Sequence, residues 1–330
     1  MTLTFSKMLP QDDYEIKYYI VGREKGPIID FIEKKHFVGL IQIRNIWDFT
    51  TLRIYKIMKR EKPYAVFCSL AYLNIRVILA SKMLGNVKSI VRNDNMMVSF
   101  PSLNKCLIKL IYRFADRIVL QQEEMKKEVT SFINNESKCI VLHNPLDTQL
   151  IDEKLHAPSP YPADNSINYV YTARYTYNKG QDILLKAFKR LRRNIDNAHL
   201  YLVGRFENDD YYKSLIEYVQ MNELTSYVHI VGYDNNPYKW MKYANCFVLP
   251  SRMEGLPNSL IEAMYIGTPV VATMSIPVIS RIVKDGYNGY LVKSEDIDGL
   301  SKRMIDVLSL ENFTITYIPA SKEDVVKLFI

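Results

Sequence analysis

Long apolar runs are missing from these 330 residues. None approaches the roughly 18 that a membrane-spanning helix needs. Residues 1–20 lack the charged-then-apolar order of an export signal. Cysteine is sparse and scattered: Cys68, Cys106, Cys139 and Cys246 show neither metal-ligand nor redox spacing, which excludes a zinc module or a disulfide framework. They read as the reduced thiols of a cytosolic protein. The five histidines, His36, His143, His156, His199 and His229, flank strands or loops and offer no catalytic base. Internal repeats and low-complexity segments are also missing.

What is present is apolar residue and positive charge. With 48% hydrophobic residues, the chain can bury one large core or two ordinary ones. The net charge of +7 is lopsided. Residues 1–150 hold 23 Lys and Arg against 15 Asp and Glu, while residues 151–330 hold 20 against 21. The first half therefore suits an anionic partner, or is simply a solvated surface. Nucleic acid is disfavoured, because no aromatic-basic module or recognition helix accompanies the charge.

Strand-like and helix-like runs alternate. Residues 14–22, 37–43, 64–68, 87–92, 116–121 and 139–144 predict strands, with helices over 103–115 and 122–133. After a Pro-, Asp- and Ser-rich stretch at 146–166, which reads as a linker, strands resume at 168–174, 199–204, 227–232, 244–250 and 268–273. This is an α/β chain with parallel sheets covered on both faces. The expected domains are 1–145 and 167–312, with 313–330 returning toward the first.

Chemistry concentrates in "SRMEGLPNSLIEAMYIGTPVVAT", Ser251–Thr273. Here a buried strand ends, Pro257 opens a helix, and Gly267 with Pro269 closes it. Glu254 precedes that helix N-terminus and Glu262 lies just inside it. The amides of Asn258 and Ser259 suit a phosphate, and Gly255 permits close backbone approach. Two carboxylates beside a phosphate site suit a ligand that also carries hydroxyls, as a nucleotide-sugar does. A second cluster, "TARYTYNKGQDILLKAFKRL" (172–191), places Arg174 and Lys179 at another strand end, where two cations can converge on one diphosphate.

At this point the chain resembles the retaining glycosyltransferases of family 4, with their GT-B fold and E-x7-E signature. The signature is Glu254…Glu262. "ARYTYNKGQDILLKAF", "HNPLD" (143–147) and "VGYDNNPYKWMKYANCFVLPS" (231–251) are similar to other family segments in the same order. The resemblance is strong from 139 to about 293 and weaker before. It implies two Rossmann-like domains with a donor and acceptor cleft between them. It also implies transfer of a hexose from a nucleoside-diphosphate sugar, UDP- or GDP-linked, to an acceptor hydroxyl with retention at the anomeric carbon. No metal or cofactor is expected, and Asp209-Asp210 reads as a helix start.

Carried over to this chain, the family pattern implies that Arg174 and Lys179 meet the diphosphate. Glu254 takes the sugar hydroxyls, and the backbone from Gly255 through Leu256 to Asn258 and Ser259 holds the sugar and distal phosphate. Glu262 takes the ribose diol, and the base lies near Gly232 and Tyr233. Ala173 stands where the family usually has glycine, and "TMSIPVISRIV" (273–283) lacks the family's glycine turn.

Acceptor-side residues are less marked; Arg92, Asn93 and Asp94 are candidates at a strand end. A row of Lys105, Lys109, Arg113 and Arg117 along one helix suits an anionic membrane surface and a sugar or lipid-linked sugar acceptor. The implied setting is surface polysaccharide, lipopolysaccharide or glycolipid synthesis, cytoplasmic or peripheral on the inner face of the cell membrane. Alternatives are an inactive nucleotide-sugar-binding relative and another GT-B enzyme such as an epimerase. The inactive reading arises because Thr2–Leu9 reads as the tail of the family's first helix and Tyr14–Val21 as its second strand. The first domain is thus expected to lack its first strand and glycine loop. Met1 would then be an internal methionine of a longer frame, or the product a decayed one.

Overall fold

The computed structural model describes residues 2–22, 32, 36–42, 50–93, 97, 102–206, 210–311 and 315–330. They form two compact units, Met1–Leu146 with Pro319–Ile330, and Asp147–Ile318.

The first unit runs α1 (Thr2–Lys7), β1 (Tyr18–Gly22), β2 (Phe37–Gln42), α2 (Thr50–Glu61), β3 (Ala65–Ser69), α3 (Ala71–Leu84), β4 (Lys88–Arg92), α4 (Ser102–Ile111), β5 (Arg117–Leu120), α5 (Glu123–Thr130) and β6 (Cys139–Val141). Four strands pair in parallel in the order β3-β4-β5-β6, and β1 and β2 form a separate parallel pair. Among the described residues β1 and β3 each have one sheet neighbour. One face of the β3–β6 sheet packs on Phe5 and Leu9, and on Ala320, Val325 and Leu328 from the C-terminal stretch. A further cluster joins Ile41, Ile54, Met58, Val77 and Val87.

The row of four cations does not continue along one helix. After α4 a 3-10 turn covers Tyr112–Phe114, Ala115 is extended, and Arg117 begins β5. Packing decides this: Tyr112 and Ala115 are fully buried, which ends the helical register before position 117. Lys109 and Arg113 remain exposed, and beside them stand the exposed Leu103, Leu110 and Phe114.

The second unit runs α6 (Thr148–Lys154), β7 (Ile167–Thr172), α7 (Gln181–Leu191), β8 (Ala198–Val203), α8 (Asp210–Met221), β9 (Val228–Gly232), α9 (Pro237–Lys242), β10 (Cys246–Leu249), α10 (Asn258–Ile266), β11 (Val270–Thr273), α11 (Ile279–Ile282), β12 (Tyr290–Val292) and α12 (Ile297–Asp306). Its last strand, β12, was not foreseen. The stretch 146–166 is no plain linker either. Asp147 caps α6 by accepting from the Leu150 amide, and Ile151 is buried, so a short helix forms ahead of the prolines. A final helix, α13 (Lys322–Val326), belongs to the first unit and starts with a Ser321–Asp324 capping box.

The second sheet is wholly parallel, in the order β12-β11-β10-β7-β8-β9. From β7 the chain winds outward through β8 and β9, and from β10 it winds the other way. The switch point lies between β7 and β10, where open α/β sheets bind ligands beyond the strands' carboxyl ends.

Candidate functional site

The two loops leaving β7 and β10 meet at that switch point. Their approach depends on glycine. Gly180 has φ +68°, and a Cβ there would lie 2.2 Å from the Pro250 carbonyl oxygen. At the end of β8, a Cβ on Gly204 would lie 1.8 Å from the Ala173 carbonyl oxygen. Larger residues at either position would push the β7 loop off its neighbours. α7 begins directly after Gly180 and buries Ile183, Leu184, Ala187, Phe188 and Leu191, apolar residues at helical spacing.

Across this junction the Lys179 ammonium donates to both carboxylate oxygens of Glu254, at 2.7 and 2.8 Å. Glu254 is buried. Its Oε1 also accepts from Ser251 Oγ at 2.6 Å. With that proton committed, Ser251 Oγ receives the Tyr171 hydroxyl at 3.0 Å. Burial, and next the Glu254 carboxylate, push the Tyr171 phenol well above its usual range, so it stays a neutral donor. Thr273 Oγ1 donates to the Ser251 carbonyl at 2.6 Å, tying the end of β11 to the same point. These supports went unread in the sequence. Ser251 and Thr273 bounded the quoted motif, and that was the available signal.

A second brace lies alongside. Arg252 grips Asp182 with a two-pronged bond, both distances 2.7 Å. It also donates to the Tyr177 carbonyl at 2.8 Å and to Glu295, and its guanidinium lies 3.9 Å from the centre of the Tyr177 ring. Glu295 reaches it from a left-handed backbone position, φ +67°, after β12. Burial works to raise the Asp182 carboxyl, but the bonds from Arg252 and Tyr211 outweigh it and hold it below the usual range. Three strand-end loops are thus fastened by one side chain.

Of the other expected site residues, Arg174 is exposed on the β7 loop, and its carbonyl accepts from Gln181 Nε2. Leu256 is buried, Gly255 is half-buried, and Pro257 caps α10 instead of opening it. The Asn258 amide is directed at the Leu256 carbonyl, 3.0 Å away, so this turn uses a donor expected to face a phosphate. Ser259 lies in the first turn of α10. Glu262 is half-buried in that helix, and burial pushes its carboxyl up to about 7. Burial, then Glu262 and Asp147, raise the nearby Tyr238 phenol. Gly232 has φ +80°, and Tyr233 beyond it is exposed.

In the first unit, Arg92 and Asn93 are buried. Arg92 bonds Asn144 and Ser69, and Asn93 accepts from Tyr112. They act there as internal ties of the β4 end. Asp94 and Asp209 fall outside the described residues.

The profile of the family described as Glycosyl transferases group 1 matches residues 153–324, more than half of the chain. An uncharacterized glycosyltransferase of Methanocaldococcus jannaschii is 34% identical over 288 residues, covering 79% of this chain and 69% of that protein. The UDP-Gal:alpha-D-GlcNAc-diphosphoundecaprenol alpha-1,3-galactosyltransferase of Escherichia coli is 24% identical over 91% of this chain and 82% of its own length. Among solved structures, Anabaena HepE in complex with UDP and glucose superposes with a TM-score of 0.75 at 18% identity, over 88% of this chain and 82% of that one. That likeness establishes the fold, a GT-B arrangement of two Rossmann-like domains. The chain is a glycosyltransferase and belongs to the group 1 glycosyl transferase family.

Proposed function

We propose that this glycosyltransferase moves a hexose from a nucleoside-diphosphate sugar to an acceptor hydroxyl, with retention and without a metal. The observation that carries the reading is the Lys179–Glu254 contact at the switch point of the second sheet. The cation and the carboxylate neutralise each other. With donor present, the sugar hydroxyls donate to Glu254 and Lys179 turns to the diphosphate, joined by Arg174. Gly255, Leu256, Asn258 and Ser259 line the sugar and distal phosphate, Glu262 meets the ribose diol, and Gly232 and Tyr233 border the base.

The bond that breaks joins the anomeric carbon to the diphosphate oxygen. The bond that forms joins that carbon to the acceptor oxygen on the same face, and the acceptor proton passes to the departing phosphate. Lys179, Arg174 and the α10 N-terminus stabilise the developing charge; donors of this kind are typically worth about a hundred- to a thousandfold each.

The names of the Escherichia coli relative and of the Anabaena structure favour a UDP-sugar donor and a lipid-linked sugar acceptor, in the synthesis of a surface glycan. Among the described residues no helix is long and apolar enough to cross a membrane. Approach to a lipid-linked acceptor is assigned to the α4 surface, where Lys109 and Arg113 stand beside Leu103, Leu110 and Phe114. The test is turnover of a panel of UDP- and GDP-sugars by the purified protein, with and without a chelator. Release of nucleoside diphosphate from one donor, unchanged by chelation, is the expected result. No release from any donor, or loss on chelation, overturns the reading.

A further inference from the structure

Two histidines of the second unit take no part in the proposed chemistry, yet they touch. His199 is the second residue of β8 and His229 the second residue of β9. Tyr201 pairs with His229 in the parallel ladder, and His199 lies two residues before Tyr201, so all three share one face of the sheet. His199 Nδ1 and His229 Nε2 stand 3.0 Å apart and share a proton. Both rings are half-buried and β9 is the sheet's edge strand, so the pair is open to ions from solvent.

Aromatic packing holds the two rings. His229 stacks on Tyr201 at 4.4 Å and 18°, and Tyr161 and Trp240 pack on the same Tyr201 ring. Tyr227 lies against His199 at 5.7 Å, and the Arg192 guanidinium covers Tyr227 at 3.3 Å. Burial pushes both imidazoles below their usual range, with Asp164 partly offsetting this at His199. Each ring is then neutral near pH 7. A neutral imidazole can carry its proton on the outer nitrogen and turn a lone pair inward.

The spacing of the two inner nitrogens selects a coordination geometry. With metal–nitrogen bonds of about 2.0–2.1 Å, two nitrogens at right angles on one ion stand about 2.9 Å apart, whereas two on a tetrahedral ion stand about 3.3 Å apart. The observed 3.0 Å fits the right-angled case, that of square-planar or octahedral ions. Imidazole suits copper and nickel, and among divalent first-row ions Cu2+ binds a nitrogen site tightest. Among the described residues no group of three or more His, Cys, Asp or Glu side chains could hold a metal, so water fills the other positions.

We propose that His199 and His229 form a two-histidine chelate for a divalent ion of square-planar or octahedral preference, Cu2+ first and Ni2+ next, which pins the edge strand β9 to β8. The pair sits at the amino ends of these strands. The loops of Lys179 and Glu254 leave the carboxyl ends of β7 and β10 in the same parallel sheet, so the ion stands apart from the transfer step.

The test titrates Cu2+ into the chelator-stripped full chain, read by calorimetry, by electron paramagnetic resonance and by thermal melts. One equivalent is expected to bind with the signature of two nitrogen ligands and to raise the melting temperature, because the ion binds the folded chain. His199→Gln and His229→Gln should each weaken this binding about tenfold or more and remove the thermal shift, since the second imidazole binds as an intramolecular partner. The double variant should lose little beyond either single one. His156→Gln, at an exposed position, should change nothing. Equal affinity in the parent and both single variants means adventitious binding only and overturns the proposal, as do losses that simply add in the double variant, or no saturable binding. If a variant does not fold, substoichiometric Cu2+ is added to the parent. It must broaden the ring-proton magnetic resonance signals of His199 and His229 before those of His36, His143 and His156; broadening of all five alike, or of the others first, overturns the site. None of these readouts depends on sugar transfer, so failure here is distinct from failure of the proposed activity.

Discussion

Lys179 and Glu254, 75 residues apart in sequence, share two hydrogen bonds of 2.7 and 2.8 Å at the point where the second sheet reverses its winding. The Glu254 side chain is 6% exposed and that of Lys179 24%. The pair therefore ties the loops after β7 and β10 together, beside its proposed part in the chemistry.

That double role sets the first prediction. Glu254→Gln and Lys179→Ala should each lower transfer at least a hundredfold, by loss of sugar contacts and of leaving-group stabilisation respectively. Lys179→Ala should also lower stability, by on the order of 2 kcal/mol, because it strands a buried carboxylate that keeps only its Ser251 bond. The double variant Lys179→Met with Glu254→Gln should regain most of that stability and none of the activity. Thermal melts and donor turnover on the same samples check it. Full turnover in either single variant removes the pair from the mechanism.

Arg252 provides the second. From the loop after β10 it binds Tyr177 and Asp182, which follow β7, and Glu295, which follows β12, and so holds the loop of Lys179 against that of Glu254. Lysine keeps the charge but lacks the fork. Arg252→Lys should therefore raise the donor KM and lower kcat/KM about tenfold or more, with the fold retained by circular dichroism. Kinetics equal to the parent protein would show that the brace serves stability alone.

Glu262 predicts a pH dependence. Its folded carboxyl titrates at about 7, above the usual value of 4.5. The folded state thus holds a proton that the unfolded chain has released, so this group's contribution to stability falls as pH rises from about 4.5 to 7. The ionised form is the better acceptor for a ribose diol. Nucleoside-diphosphate affinity should therefore strengthen across pH 6–8 in the parent protein, and be weaker and flat in Glu262→Gln. Titration calorimetry at several pH values measures it; a parallel slope in the variant contradicts the role.

The α4 surface predicts salt-sensitive binding to vesicles containing anionic lipid. Exposed Lys109 and Arg113 supply the charge, and Leu110 and Phe114 the insertion. Sedimentation should fall sharply between 0.1 and about 1 M salt, where the Debye length shrinks from about 10 to about 3 Å. Replacing Leu110 and Phe114 by Ser should weaken the salt-resistant remainder. Binding that ignores salt, or no binding, counts against this surface.

Period and punctuation in the sequence were enough for the α/β alternation, for eleven of the strands and for the α7 stripe, because local apolar spacing sets those elements. Glu254, Arg174 and Lys179 stand out in the sequence because each sits where a strand pattern stops and a helical one starts. Local pattern also misled. Lys105 to Arg117 keeps four-residue spacing, yet burial of Tyr112 and Ala115 ends the helix first. Sequence pattern places Arg92 and Asn93 at a strand end, and the structure adds their internal partners, Asn144, Ser69 and Tyr112. Which side chains meet across loops was decided only in three dimensions. Lys179 finds Glu254, Arg252 finds Asp182 and Glu295, and Tyr171 supports Ser251, because sheet order makes β7 and β10 neighbours. Strand order is a property of long-range pairing, and no local spacing encodes it.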